Sequence, residues 1–121
     1  MGVLATKSEV KLMNKYCAWK EVKFNDVMYY LKGNAFFKNK LLSLEELAEL
    51  ICPLVRREDE SQEKELGSLL EGLNGEFAIV AETESRIFCA VDKLRRIPLF
   101  YILTKDNFIV SDDAYYLNRT F

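Results

Sequence analysis

The hydrophobic period of this sequence changes once, and that change most narrows the folds open to it. From Ser43 to about Arg57 the apolar residues Leu44, Leu47, Leu50, Ile51, Leu54 and Val55 recur at helical spacing and fall on one face. Glu63 to Leu70 repeats the pattern with Leu66, Leu69 and Leu70 inward. From Glu76 the spacing becomes strand-like. Phe77 to Ala81 reads as a strand, Glu82 to Ser85 as a polar turn and Arg86 to Val91 as the returning strand of a hairpin. Lys93 to Ile97 is a basic loop, Pro98 to Leu103 a third strand entered by proline, and Phe108 to Ser111 a fourth.

The first helix carries its own start and stop signals. Ser43 is an N-cap, and Glu46 three residues on completes a capping box. Glu45 and Glu46 suit the positive end of the helix dipole, and Arg56 and Arg57 the negative end. Pro53 removes a helical hydrogen bond, so the helix is expected to kink or end near Cys52. Gly72 and Gly75 read as stop signals for the second helix. Ahead of the helices, one or two strands are expected between Val10 and Phe24 and another over Val27–Leu31. Gly33-Asn34 interrupts that strand, and Lys38-Asn39-Lys40 forms a turn. Met1 to Glu9 shows no period and is expected to fray. Strands, then two helices, then a strand meander indicate an α+β fold.

With 121 residues, half of them hydrophobic and 30% charged, the chain suits a single domain, 1–121, with one feasible core. Formal charge is 17 minus 19, or −2, a poor electrostatic match for nucleic acid. No apolar run reaches the ~20 residues of a membrane span, and no signal-peptide stretch opens the chain, so an intracellular, cytoplasmic protein is expected. The three cysteines, Cys17, Cys52 and Cys89, are scattered, which argues against a disulfide framework or a zinc site. There is no histidine, which removes histidine-based triads and any His-bearing metal site. No metal or other cofactor is expected.

Leu73-Asn74-Gly75-Glu76-Phe77-Ala78 opens the meander. Asp92 follows a hairpin later, then Pro98-Leu99-Phe100-Tyr101 six positions on, then Phe108-Ile109-Val110-Ser111-Asp112. In this order and spacing the run Leu73–Leu117 resembles the back half of the glutaminase domain of asparagine synthetases, the class II (type 2) glutamine amidotransferases. That family reads L-N-G-x-F-A, then R-D-x-x-G-x-x-P-L-Y, then a strand ending in A-S-E. The resemblance extends more weakly back through the Ser43 helix. It implies an N-terminal-nucleophile-hydrolase-like fold of antiparallel sheets with two helices, reduced in size.

In that family a cysteine at the mature N-terminus attacks the glutamine side-chain amide, with its own α-amine as base. Such an amine, with a pKa of about 8, activates a thiol without histidine. An Asn-Gly pair forms the oxyanion hole, and the aspartate of R-D binds the amino group of the substrate. Position 2 here is Gly2, not cysteine. The family's N-G-E-I-Y-N stretch aligns with Lys32-Gly33-Asn34-Ala35-Phe36-Phe37 and keeps only Gly33. The R-D pair becomes Val91-Asp92, and Arg95 stands where the family has glycine. The resemblance therefore assigns substrate contacts to Asp92 and Gly33 alone. For Asp92 the plainer role is to cap the Lys93–Ile97 loop. Cys17 is the one weak catalytic candidate, and only if the residues before it were removed; Cys52 and Cys89 read as core thiols.

Three functions stay open on these residues. The first is a catalytically degenerate glutaminase-like domain, a scaffold or ligand-sensing module for an asparagine-synthetase-type ATP-binding domain or subunit. The second is an active glutamine amidohydrolase using Cys17 after processing. The third is a homo-oligomeric module, dimerising through aromatics such as Tyr115, Tyr116 and Phe121.

Overall fold

The computed structural model describes residues 2–6, 9–11, 19–57, 59–103 and 108–112. The protein is a small α+β molecule with two helices and largely antiparallel sheets. The larger sheet has the order β1 (Gly2–Thr6), β7 (Arg86–Val91), β6 (Leu73–Glu82), β4 (Val27–Phe37), β3 (Lys20–Phe24), with β5 (Lys40–Leu41) paired to the end of β4. The smaller sheet is β2 (Glu9–Lys11), β9 (Phe108–Ser111), β8 (Phe100–Leu103). Within it β2 and β9 run parallel, the exception to the antiparallel rule.

The sheet is built on β4 and β6. Their ladder runs unbroken from Met28↔Glu82 to Phe37↔Leu73, so each strand fixes the pleat of the other over its whole length. Two tight hairpins lead into and out of β4. Asn25 and Asp26 have φ of 48° and 63°, and Lys38 and Asn39 have 51° and 63°. Positive φ at both central residues gives the turn twist that matches the strands, and Asn and Asp tolerate it best.

The pleat separates two cores. Tyr29, Leu31, Phe77, Ile79 and Ala81 face α1 (Leu44–Val55) and α2 (Gln62–Glu71), where Leu47, Ile51, Val55 and Leu66 are buried against them. Ala78, Val80, Ile87 and Cys89 point the other way, onto Trp19, Leu99 and Val110 of the smaller layer. The sheet thus carries helices on one face and a second sheet on the other.

Helix α1 starts as its sequence signals require. The Ser43 hydroxyl accepts from the Glu46 backbone N–H at 3.1 Å, and the Glu46 carboxylate accepts from the Ser43 N–H at 3.0 Å. A 2.6 Å bond from Lys40 and the Ser43 backbone contact pull the Glu46 carboxyl down to about 2. Pro53 lies inside the last turn, and the helix ends two residues later at Val55. Its final carbonyls are met from α2. Buried Gln62 donates to the carbonyls of Leu54 (2.9 Å) and Val55 (3.0 Å), adding to the Arg57 N–H that meets Leu54 at 3.3 Å.

Several sequence expectations shift. Gly2–Thr6 does not fray. It forms β1 against β7, a partner distant in sequence that no local period reveals. Gly33-Asn34 does not interrupt the strand, and Gly75 does not stop a helix: both glycines lie inside the β4–β6 ladder. Strand β6 consequently starts at Leu73 rather than Phe77, and β8 starts at Phe100, two residues past Pro98. Cys17, Tyr115, Tyr116 and Phe121 lie outside the described residues. Among the described residues no helix is long and apolar enough to cross a membrane.

Candidate functional site

The site grows from the end of β7. Asp92 follows the strand, and its backbone N–H donates to the Phe77 carbonyl at 3.1 Å. Its carboxylate turns inward. Oδ2 accepts from the Phe77 N–H at 3.1 Å, and Oδ1 from the N–H groups of Leu94 (3.0 Å) and Arg96 (3.3 Å). The Arg95 N–H closes the turn onto the Asp92 carbonyl at 3.0 Å. Asp92 is 4% exposed, so burial pushes its carboxyl pKa up. The backbone bonds from Phe77, Arg96 and Leu94 outweigh that and hold it below the ordinary value. Arg95 adopts φ 52°, a left-handed conformation that glycine takes without cost.

Gly33 lies directly across the ladder from Phe77. Its φ is 89°, and a Cβ there would sit 2.1 Å from the Glu76 carbonyl oxygen and 2.4 Å from the Ile97 side chain. Gly75 mirrors it on β6, with φ 115° and the Asn34 carbonyl 2.3 Å from where a Cβ would stand. The two glycines bracket the Asn34↔Glu76 pair and let the backbones approach closely. The two residues singled out from sequence, Asp92 and Gly33, are thus brought to opposite sides of Phe77.

Above this junction opens a cavity of about 620 Å³. The β4 and β6 ladder contributes Asn34, Phe36, Asn74, Gly75 and Glu76 to its walls, and the loop after β7 contributes Asp92, Lys93, Leu94 and Arg96. Arg96 pairs with Glu76 across the mouth, and the Lys93 ammonium donates to the Glu71 carbonyl at 3.1 Å. Asn34 and Asn74 bring side-chain amides that donate and accept, so the walls offer hydrogen bonds of both kinds beside the exposed charges of Lys93, Arg96 and Glu76. None of the described lining residues is a cysteine, serine or threonine. Sequence reading missed Asn34 and Asn74. Their signal was the neighbouring glycine in each case, and it was read as a break in structure.

The remaining thiols lie elsewhere. Cys52 is buried in the helix-side core and Cys89 in the other. Beside Cys52 stands Tyr29, whose hydroxyl is the one buried side-chain polar atom without a hydrogen-bond partner among the described residues. Burial, with the Cys52 thiol adding to it, pushes its pKa up. Lys32 sits 3.6 Å from Asp112 Oδ2 and 5.7 Å from the centroid of the Trp19 ring. Trp19 Nε1 donates to the same Asp112 oxygen at 2.7 Å. The Lys32 and Asp112 side chains are 12% and 4% exposed, so this is a buried ion pair between the two sheets. Among the described residues no group of three or more His, Cys, Asp or Glu side chains is placed to hold a metal ion.

Comparison with known proteins finds no matching family model, no matching curated protein and no matching solved structure.

Proposed function

We propose that this chain is a glutaminase-like domain of the class II amidotransferase type that does not hydrolyse glutamine and serves as a scaffold for a synthetase-type ATP-binding partner. The observation that carries the reading is the backbone of the Asp92 turn. Arg95 has φ 52° at the one position of the D-x-x-G pattern where the family has glycine. A turn that needs left-handed geometry there accounts for that glycine, and this chain keeps the geometry after losing the residue. The layering of helices, large sheet and small sheet is compatible with a reduced N-terminal-nucleophile-hydrolase-like fold.

The chemistry favours a non-hydrolysing role. Three of the roughly four acceptor positions of the Asp92 carboxylate are taken by backbone N–H groups, which leaves about one for a substrate amine. Lys32 replaces the oxyanion-hole asparagine and is committed to Asp112 and Trp19. The described cavity walls supply no cysteine, serine or threonine nucleophile.

Intact mass and glutaminase activity test this together. The expected result is an unprocessed chain that releases no glutamate from L-glutamine and forms a stable complex with an asparagine-synthetase-type ATP-binding subunit. A mature chain beginning at Cys17, with glutamate release lost on Cys17→Ser, would overturn it.

A further inference from the structure

Strand β3 (Lys20–Phe24) ends the larger sheet, and among the described residues nothing pairs with its outer side. An open edge is a row of backbone donors and acceptors that another strand can complete. The bonds of the neighbouring strands decide which residues of β3 supply that row. The Asp92 N–H donates to the Phe77 carbonyl and the Thr83 N–H to the Arg86 carbonyl, so the odd-numbered residues of β6 bond to β7. Bonding alternates along an antiparallel strand. The even-numbered residues of β6 therefore bond to β4, where their partners are Met28, Tyr30 and Lys32. Val27, Tyr29 and Leu31 then bond to β3, and their partners there are Phe24, Val22 and Lys20. Glu21 and Lys23 are left with their N–H and C=O groups pointing away from the sheet. Both side chains are exposed, and neither makes an ion pair among the described residues.

Lysine on a short edge strand guards against indiscriminate pairing. Here a glutamate occupies the other outward position. A second copy that approaches antiparallel about a two-fold axis can bond only through outward residues. It must set Glu21 on Glu21, Lys23 on Lys23, or Glu21 on Lys23. The first two place like charges directly opposite each other, which is destabilising. The third places opposite charges together, and symmetry repeats the pair. On the helix face the same register sets Val22 on Val22, in the kind of pair where side chains come closest, and Lys20 beside Phe24 of the other copy. Val22 and Phe24 are only partly buried against the helix-side core, so a second strand would extend their cover.

We infer that the β3 edge seats a second copy of this chain: the two strands pair antiparallel about Val22, with Glu21 of each opposite Lys23 of the other, and the two larger sheets become one. The pairing adds to the scaffold reading and does not depend on it. An edge of 5 residues forms a small interface, so the dimer is weak, with a Kd on the order of 0.1 mM.

Sedimentation equilibrium of the full chain, from about 0.01 mM to about 1 mM, should follow a monomer–dimer equilibrium. Glu21→Lys and Lys23→Glu should each weaken it about tenfold. Mixed in equal amounts, the two variants should associate with each other, and the double variant Glu21→Lys/Lys23→Glu should dimerise as the parent does. The altered side chains are exposed, so circular dichroism of these variants should match the parent. Val22→Cys reads the register. Its two copies would face each other across the axis with Cα atoms about 4.5 Å apart, within disulfide reach. Mild oxidation should therefore link Val22→Cys into a dimer on a non-reducing gel, whereas Glu21→Cys and Lys23→Cys should link no more than the parent. A chain that stays monomeric at about 1 mM overturns the inference. So does a dimer indifferent to Glu21→Lys, which would place the contact on another surface. A double variant that fails to recover, or cross-linking through position 21 or 23 in place of 22, overturns it as well.

Discussion

Gly33→Ala tests the physical core of the site, and its cost follows from the geometry. The residue has φ 89°, where an L side chain costs about 1–2 kcal/mol. The new Cβ would also stand 2.1 Å from the Glu76 carbonyl oxygen, a backbone atom that cannot rotate away. Relief requires β4 and β6 to part locally, which weakens the neighbouring ladder bonds. Two bonds at a net of about 1 kcal/mol each bring the total to about 3–4 kcal/mol. At about 4 °C per kcal/mol for a chain of this size, the midpoint of thermal unfolding should fall by about 12–16 °C. Gly67→Ala is the internal control. Gly67 lies within helix α2, and a Cβ there meets nothing within 4 Å. Alanine at that position should stabilise by about 1 kcal/mol and raise the midpoint by about 4 °C. Circular dichroism melts and urea titrations of both variants provide the readout, with unchanged m-values expected. If Gly33→Ala melts within about 3 °C of the parent, or both variants shift the same way, the argument from strain and close approach is wrong.

Other predictions concern the side chains around this junction. Arg95→Gly should stabilise by about 0.5–1 kcal/mol, since relief of about 1–2 kcal/mol of left-handed strain exceeds the entropic cost of glycine; a lower melting temperature would count against the strain reading. Asp92→Asn puts an amide N–H₂ where backbone N–H groups need acceptors, and should cost about 2–4 kcal/mol at pH 7. Because the folded pKa of Asp92 lies below its ordinary value of 3.8, its stabilisation is present above the unfolded pKa and is lost as pH falls through the folded one. The parent should therefore lose stability on acidification below about pH 4 more steeply than the Asn variant, and parallel urea midpoints from about pH 6 to about pH 2.5 would refute this. Lys32→Met and Asp112→Asn should each cost about 3 kcal/mol, and the double variant less than their sum, with a coupling of at least about 1 kcal/mol. Trp19, the only tryptophan, reports this unfolding directly, and strict additivity would show that the pair is not coupled.

The parts legible in the sequence were those whose signals are local. The Ser43–Glu46 box, the Leu44, Leu47, Ile51 and Val55 face of α1 and the turn between Glu82 and Arg86 each depend on neighbours within a few residues, and these stand, although Leu50 and Leu54 are only partly buried and the first hairpin strand starts earlier than read. What escaped was set at long range. Nothing in Gly2–Thr6 announces a strand, because its state is fixed by the open edge of β7. Nothing local marks Gln62; only the packing of α2 against the end of α1 makes it the cap for Leu54 and Val55. Gly33 and Gly75 were recognised as special but read as punctuation. A glycine that breaks an element and one that lets two backbones touch look the same in sequence, and only the partner strand separates them. Of the site, Asp92 and Gly33 were visible as residues, whereas Asn34, Asn74 and the exposed Leu94 became visible only through the β4–β6 register.

The Asp92 carboxylate is where the two halves of the functional reading meet. On the proposed glutaminase-like reading, an aspartate that held a substrate amine at this position would have to keep enough free acceptor capacity for it. Here it is 4% exposed and already accepts three backbone hydrogen bonds. Anchoring a charged amine through about one remaining lone pair on a buried oxygen would require much of that amine's hydration to be lost for a single contact, which is unfavourable. The same three bonds have a different consequence at the surface. They fix the backbone of Leu94 and Arg96 and so hold an apolar side chain out in solvent, an arrangement that has to be stabilised from within. A residue able to recognise an amine and a residue able to brace a loop need the same carboxylate oxygens, and in this chain the loop has them.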